Sequence, residues 1–437
     1  MVTATGNWNS CRAPGLIAPV SETLQVQIDS AALQREIDAL AEISEQPAPV
    51  VTRVLFSEAD LRARKFVKQL CGDAGLALRE DAVGNLFARW PGKNPALPPV
   101  ATGSHIDAIP NAGKFDGVVG VLGGLEAIRA LKRAGFEPAR AVELIVFTAE
   151  EPTRLGIGCL GSRLLSGVLA PEKAAGLRDS EGVTLEQWRR RAGCAEAALE
   201  SVRLSRGCYS AFVELHIEQG PLLEREGIPI GIVEKIAAPA TLRLELTGEG
   251  GHAGAVLMPE RRDALLAGAE IALAVERAVT STGSKDTVGT TGLFRIEPGA
   301  VNSVPSRALL EIDVRDTQQP ARDAALRQIE QAVAEVCRRR RIEWNLQTLN
   351  ADPPALCDAE LVHTVASVCE RLQLPARRMI SRAYHDSLFM ALLCPMMMIF
   401  IPCRGGVSHR PDEYSTPEQI HQGVRVLAGT LAALAAR

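Results

Sequence analysis

Only 4% of the 437 residues are aromatic, and no two of the ten cysteines are spaced as C-x-x-C. The missing cysteine pairs exclude a thiolate metal clip and a thioredoxin-type redox motif. What remains is a set of scattered free thiols, as expected in a reducing compartment. Charge of one sign is also lacking: 48 Lys and Arg against 52 Asp and Glu leave a net charge of -4. Such a balance carries no footprint for nucleic acid or for an anionic membrane surface. No apolar run is long enough to cross a bilayer, because the longest, Leu388 to Cys403, is cut by Pro395. Residues 1–25 carry Pro14 and Pro19 without a basic-then-apolar design, and read as a loose tail rather than a signal peptide. A soluble cytoplasmic protein with no nucleic-acid or membrane partner is expected.

The chain is long enough, and at 46% apolar rich enough, for a large core and two domains. Its first part alternates apolar strands (Asn85–Trp90, Val100–Thr102, Val142–Phe147, Ala211–His216) with helices. Ser30 is expected to cap a helix to about residue 44, Ser57 another to Gly75, and a third covers Val119–Ala134. This is an α/β pattern with a parallel or mixed sheet. From Ala238 to Leu349 the order changes to strand, helix from Pro259 to Val279, strands near Thr287–Ile296 and Ala308–Arg315, helix Pro320–Arg340 and strand Ile342–Gln347. That βαββαβ order predicts an inserted ferredoxin-like unit at 238–349, within a discontinuous catalytic domain of 26–237 and 350–437.

Histidine is scarce too. Of seven, His363 and His421 sit in amphipathic helical patterns and read as helix-edge residues. The other five (His105, His216, His252, His385 and His409) lie in short segments rich in Gly, Asp and Glu. In TGSHIDAIPNAGKFDGVVG, His105 precedes Asp107 by two and Asp116 by eleven. His-x-Asp after a strand suits a metal-binding imidazole whose other nitrogen is held by the carboxylate of Asp107. The plainer reading is a loop histidine bonded to its neighbour. Asp116 lies in a glycine-rich loop opening a helix, LHIEQG puts His216 at a strand end, and GGVSHRPDEYS puts His409 ahead of the last helix.

Together His105, Asp116, Glu151, His216 and His409 are enough for two divalent cations sharing one carboxylate. A nitrogen and oxygen donor set suits Zn²⁺ or Mn²⁺. Two metals so placed polarise a carbonyl and activate a water. FTAEEPTR then gains a reason for its paired acids at the end of a buried strand. Glu151 serves as ligand, and Glu150 stays free as the general base.

These segments, in this order from about Ile43 to the C-terminus, resemble the M20 metallopeptidase-type amidohydrolases of the hydantoinase/carbamoylase branch. The resemblance implies that His105 and His216 hold one metal, that Glu151 and His409 hold the other, and that Asp116 bridges them, with an unusual cis bond at Asp116–Gly117. It further implies a homodimer whose inserted domain is both lid and dimerisation unit, with His252 (GEGGHAGAV) reaching the partner's site to stabilise an oxyanion. Asn302 and Arg315 would grip the substrate carboxylate, and Gln219 would contact the ureido group. For Arg315 a salt bridge with Asp313 or Asp316 is the plainer alternative.

Within the branch, MISRAYHDSLFMA carries Tyr384 before His385-Asp386 where carbamoylases and allantoate amidohydrolases show a small-residue version. A tyrosine there fills space and adds a hydroxyl, favouring a small hydroxyl-bearing substrate; an ordinary core tyrosine is the alternative. This version is similar to the ureidoglycolate amidohydrolase type, which implies conversion of ureidoglycolate to glyoxylate, ammonia and carbon dioxide, with Mn²⁺ favoured over Zn²⁺. N-carbamoyl-L-amino acid or allantoate hydrolysis, and a non-catalytic binding protein on the same scaffold, stay open.

Overall fold

The computed structural model describes residues 25–437. The expected tail therefore falls almost wholly outside the described residues.

Four apolar segments make the centre of the main sheet. Met396–Ile401 runs parallel to Ala211–Ile217, which runs parallel to Val100–His105, which in turn runs parallel to Val142–Phe147. Buried on both faces, these strands divide their side chains by the two-residue period. Val142, Leu144 and Val146 enter one core with the helices Val118–Arg133 and Pro417–Ala435. Ile145 and Phe147 enter a second core with the short helices Leu160–Ser166 and Ser387–Met390. Glu143 interrupts this apolar strand at 1% exposure, and its carboxylate is satisfied by Arg89 at 2.7 Å and the Tyr209 hydroxyl at 3.0 Å. Antiparallel strands Leu86–Trp90 and Ala77–Glu80 extend one edge. On the other side Ile230–Ile236 pairs with Met396–Ile401 and also receives Ala355–Leu356 and Ala376–Ser381. The expected mixed α/β sheet is thus present, and the strands Ile230–Ile236 and Ala376–Ser381 were not foreseen.

Between them lies a four-stranded antiparallel sheet in the spatial order Val288–Glu297, Arg307–Asp316, Ala238–Thr247, Glu343–Ala351. Helices Ala264–Thr280 and Gln319–Arg340 pack on it and on each other, around a separate core that includes Leu244, Ile271, Leu310 and Ile329. The βαββαβ order matches expectation, but the first helix begins five residues later than Pro259. Pro259 instead opens a single 3-10 turn, Met258–Glu260, after which Arg262 bridges to Glu249, and Asp263 caps the helix by accepting from Leu266 N–H at 3.1 Å. At the N-terminal helix the cap is Asp29, which accepts from Ala32 N–H at 2.9 Å, and not Ser30.

Candidate active site

Parallel strands gather function at their C-terminal ends, where successive loops emerge side by side. Here those ends deliver His105, the turn after Phe147, His216, and the loop from Ile401 to His409. They open on a cavity of about 510 Å³ lined by these residues on one side and by Arg243, Glu311, Asp313 and Arg315 of the four-stranded sheet on the other.

The turn at Glu150 and Glu151 is built locally. Ala149 adopts φ +53°, which breaks the strand alternation and lets consecutive carboxylates face one cavity. Asp107 then fixes them, its Oδ1 accepting from Glu150 N–H at 3.2 Å and its Oδ2 from Glu151 N–H at 3.0 Å. Asp107 thus has a task beyond the expected one. Its carboxylate stands 3.6 Å from His105 Nδ1, whereas its backbone carbonyl receives that nitrogen at 3.0 Å. The imidazole is oriented chiefly by a main-chain acceptor, while the carboxylate beside it, against burial, raises the His105 pKa and also holds the two glutamates. The same device orients His216, whose Nδ1 donates to the carbonyl of Ile217 at 2.9 Å. Both rings thereby leave Nε2 for the cavity.

Asp116 stands between two groups. Its Oδ1 is 3.2 Å from His216 Nε2, its Oδ2 is 3.2 Å from His409 Nε2, and His409 Nε2 is 3.3 Å from Glu151 Oε1. The donor atoms of His105, Asp116 and His216 lie within 4.8 Å of one another, as do those of Asp116, Glu151 and His409. Gly117 makes the turn at φ +66°, and a Cβ there would stand 2.5 Å from the His105 ring. The expected cis bond is not found, since the cis peptides among the described residues are Ala48–Pro49 and Glu297–Pro298.

Electrostatics sharpen the picture. Burial pushes the Glu150 carboxyl well above its usual range, opposed by His105 and reinforced by Glu151. Burial and the neighbouring Asp116 push Glu151 up to about 7. Burial works on Asp116 in the same direction, but hydrogen bonds with His216 and His409 outweigh it and hold that carboxyl well below the usual range. His409, bonded to Asp116, rises to about 9. Three buried carboxylates crowded together are a poor arrangement without positive charge. With three imidazoles beside them and no thiolate, the set fits a pair of divalent cations, and Asp116 is the carboxylate the two donor groups would share.

The remaining candidates divide. Gln219 donates to Asp116 Oδ2 at 3.0 Å and to Ser408 Oγ at 3.2 Å, and its Oε1 is buried without a partner. His385 is buried, bonds Ser381 Oγ at 3.0 Å and packs edge-on to His216 at 4.6 Å; burial and His216 hold its pKa well below the usual value, so the ring is neutral. Arg315 lines the cavity but is paired with Asp313 at 2.7 Å, the plainer alternative. The Tyr384 hydroxyl is engaged by Asp352 at 2.9 Å and by Arg163, so this side chain presents its ring to the cavity, not a free hydroxyl. His252 and Asn302 are exposed, neighbour each other through the Ala253 N–H to Asn302 carbonyl bond at 2.9 Å, and do not line the cavity.

Sequence reasoning missed Glu413. Buried at 4% exposure, its Oε1 accepts from Phe115 N–H at 2.8 Å and Asp116 N–H at 3.0 Å, and its Oε2 pairs with Ser408 Oγ at 2.8 Å. It tethers the Asp116 loop to the His409 loop. The available signal was its position four residues after His409 in the same segment. Cys159, Arg163 and Asp352 carried no local signal at all.

The family model for peptidase family M20/M25/M40 matches residues 101–433. The ureidoglycolate hydrolase of Arabidopsis thaliana is 52% identical over 429 residues, spanning 96% of this chain and 90% of that protein. An N-carbamoyl-L-amino acid amidohydrolase of Geobacillus stearothermophilus is 36% identical over 403 residues, spanning 92% of this chain and 98% of its own. Among solved structures, AtUAH in complex with glyoxylate superposes with a TM-score of 0.89 at 52% identity, covering 94% of this chain and 99% of that one.

Proposed function

The chain belongs to peptidase family M20/M25/M40, and on that premise we propose that it is a metal-dependent amidohydrolase cleaving the ureido C–N bond of a small carboxylate. The substrate is ureidoglycolate. With one water it yields glyoxylate, two ammonia and carbon dioxide. The observation that carries this reading is the 52% identity, over 96% of the chain, to a ureidoglycolate hydrolase. The glyoxylate complex of a structural neighbour at the same identity supports it.

His105 and His216 would hold one cation, Glu151 and His409 the other, with Asp116 between them; Mn²⁺ is favoured over Zn²⁺. Such a pair, when bound, supplies Lewis-acid polarisation of the ureido carbonyl and lowers the pKa of water. Glu150 is not needed as a ligand and is buried beside the cavity. It takes the proton of the attacking water and returns it to the departing nitrogen, for which a raised carboxyl pKa is suited. Arg315 exchanges Asp313 for the substrate carboxylate, which its guanidinium fork matches. Gln219 and His385 face the ureido end, and the Tyr384 ring limits the space behind it. The unit at 238–349 serves as lid and as the contact between two subunits. His252, with Asn302 beside it, then completes the partner's cavity. The cytoplasm remains the proposed location, in keeping with the absence, among the described residues, of any helix long and apolar enough to cross a membrane.

Hydrolysis of N-carbamoyl-L-amino acids is the competing reading, favoured by the Geobacillus relative. Ammonia release by the purified Mn²⁺-loaded protein on ureidoglycolate, allantoate and N-carbamoyl amino acids separates them. Turnover of the last class without ammonia from ureidoglycolate overturns the proposal.

A further inference from the structure

Arg163 belongs to the short helix that follows the Glu150–Glu151 turn, and its side chain is buried. Its Nε donates to the carbonyl of Gly158 at 2.9 Å. Its Nη1 and Nη2 grip Asp352 Oδ1 and Oδ2 at 3.0 and 2.5 Å, and Nη2 also donates to the Tyr384 hydroxyl. That hydroxyl donates in turn to Asp352 Oδ2 at 2.9 Å, closing a three-membered ring of contacts. The guanidinium lies over Phe389 at 4.5 Å, against which the Tyr384 ring also packs edge-on at 5.8 Å.

Two features tie this cluster to substrate space. Gly158 lines the cavity, and a Cβ there would stand 2.8 Å from the Glu150 carbonyl and 3.6 Å from Tyr384 Cε1. The tyrosine ring therefore borders the backbone of the base. Asp352 is the first residue beyond strand Glu343–Ala351, and its carbonyl accepts from Arg322 on helix Gln319–Arg340, a side chain 1% exposed. The chain leaving the four-stranded sheet is thus fastened to the cavity wall.

We propose that Arg163 is a positioning residue for substrate selection: through Asp352 it holds the Tyr384 ring against the cavity, and so sets the largest ureide that can be accepted. A guanidinium is required because one side chain must bridge both carboxylate oxygens, a backbone carbonyl and a hydroxyl, which an ammonium cannot do in one plane. The inference rests on the ureide-hydrolase reading above and deepens it.

The test compares kcat and KM of the metal-loaded wild type, Arg163→Lys and Tyr384→Phe on ureidoglycolate, allantoate and an N-carbamoyl amino acid with a bulky side chain. Metal content and thermal melting are followed in parallel. Lysine keeps the charge but not the fork; phenylalanine keeps the ring and the Arg163–Asp352 pair but not the tether. Expected is a fall of roughly tenfold in the kcat/KM preference for ureidoglycolate over the bulkier ureides in both variants, the scale of a change in pocket fit, with metal content unchanged. A preserved preference, with any loss of kcat common to all substrates, overturns the inference and leaves the functional reading standing. Should Arg163→Lys fail to fold, Tyr384→Phe decides alone by the same ratio. If the wild type turns over another ureide and not ureidoglycolate, the functional reading falls. The ratio is then taken between that ureide and a bulkier homologue: a fall supports the positioning role of Arg163, and a preserved ratio overturns it.

Discussion

The thiol of Cys159 lies 3.5 Å from Oε1 of Glu150, on a carboxyl whose Oε2 is 3.8 Å from His105 Nε2. The thiol reaches one oxygen of Glu150, and the carboxyl stands beside the candidate metal donors but outside either group of them. A glutamine at this position keeps the volume and loses the ability to take a proton. Glu150→Gln is expected to lower turnover by roughly 10²–10⁴-fold at unchanged metal content by elemental analysis. Near-normal turnover refutes the assignment of the base.

Glu413 offers a test of support rather than chemistry. Replacing it by alanine leaves the N–H groups of Phe115 and Asp116 without their buried acceptor and loosens the Asp116 loop. Metal affinity should weaken by roughly 10–100-fold, and the metal-free fold should lose about 1–3 kcal/mol. Metal titration and denaturant unfolding measure the two separately. Unaltered affinity shows that Asp116 is positioned without it.

The metal-free protein should lose stability as pH rises above neutrality. His409 is raised to about 9, Glu151 and Glu413 to about 7, and Asp386, buried near Glu214, to about 8. Each binds its proton more tightly in the folded than in the unfolded chain. The stability they lend is complete below their unfolded values and is lost as pH rises through the folded ones. Asp116 and His385 have the opposite sign: the contribution of Asp116 is lost below the ordinary carboxylate range, and that of His385 as pH falls below the ordinary histidine value. Melting of chelator-treated protein should therefore fall from about pH 7 to about pH 9, and divalent cation should restore it most at the alkaline end. A melting temperature that rises across this interval contradicts the charge assignment.

His252 provides the test of a shared site. His252→Ala should cripple the enzyme. Mixed dimers of His252→Ala with Glu150→Gln should regain part of the activity, because one of the two cavities then has both groups. Lack of recovery in verified mixed dimers places the action of His252 within its own chain.

The candidate metal ligands stood out in the sequence through local signals: His105, Glu151 and His216 lie at the ends of apolar strands, and Asp116 and His409 lie in glycine-rich loops ahead of helices. Parallel pairing then had to bring those strand ends together. The apolar run Val142–Phe147 was equally legible as a buried strand, and it is buried throughout. Less legible was whatever depended on a distant partner. Asp107 was assigned to His105 by proximity in sequence, yet its carboxylate reaches forward to Glu150 and Glu151. Arg163 and Asp352 meet across 189 positions, and nothing near either one announces the other. Tyr384 was visible as an oddity, but its hydroxyl could be placed only once those two were. The late helix start at Ala264 has a similar cause: Pro259 opens only a short 3-10 turn, which the bridge between Arg262 and distant Glu249 separates from the helix.

The four-stranded unit leaves and rejoins the main sheet at one place, since Ile236 and Ala355 are paired residues of neighbouring antiparallel strands. Cutting the chain at both joins leaves ends roughly 5 Å apart, a gap that a tight turn closes. Removing or exchanging this unit is therefore a single edit in the gene, made without moving either flanking strand. The candidate metal ligands have no such seam: they are spread from His105 to His409, and a graft of the cavity they line must carry nearly the whole main sheet with it.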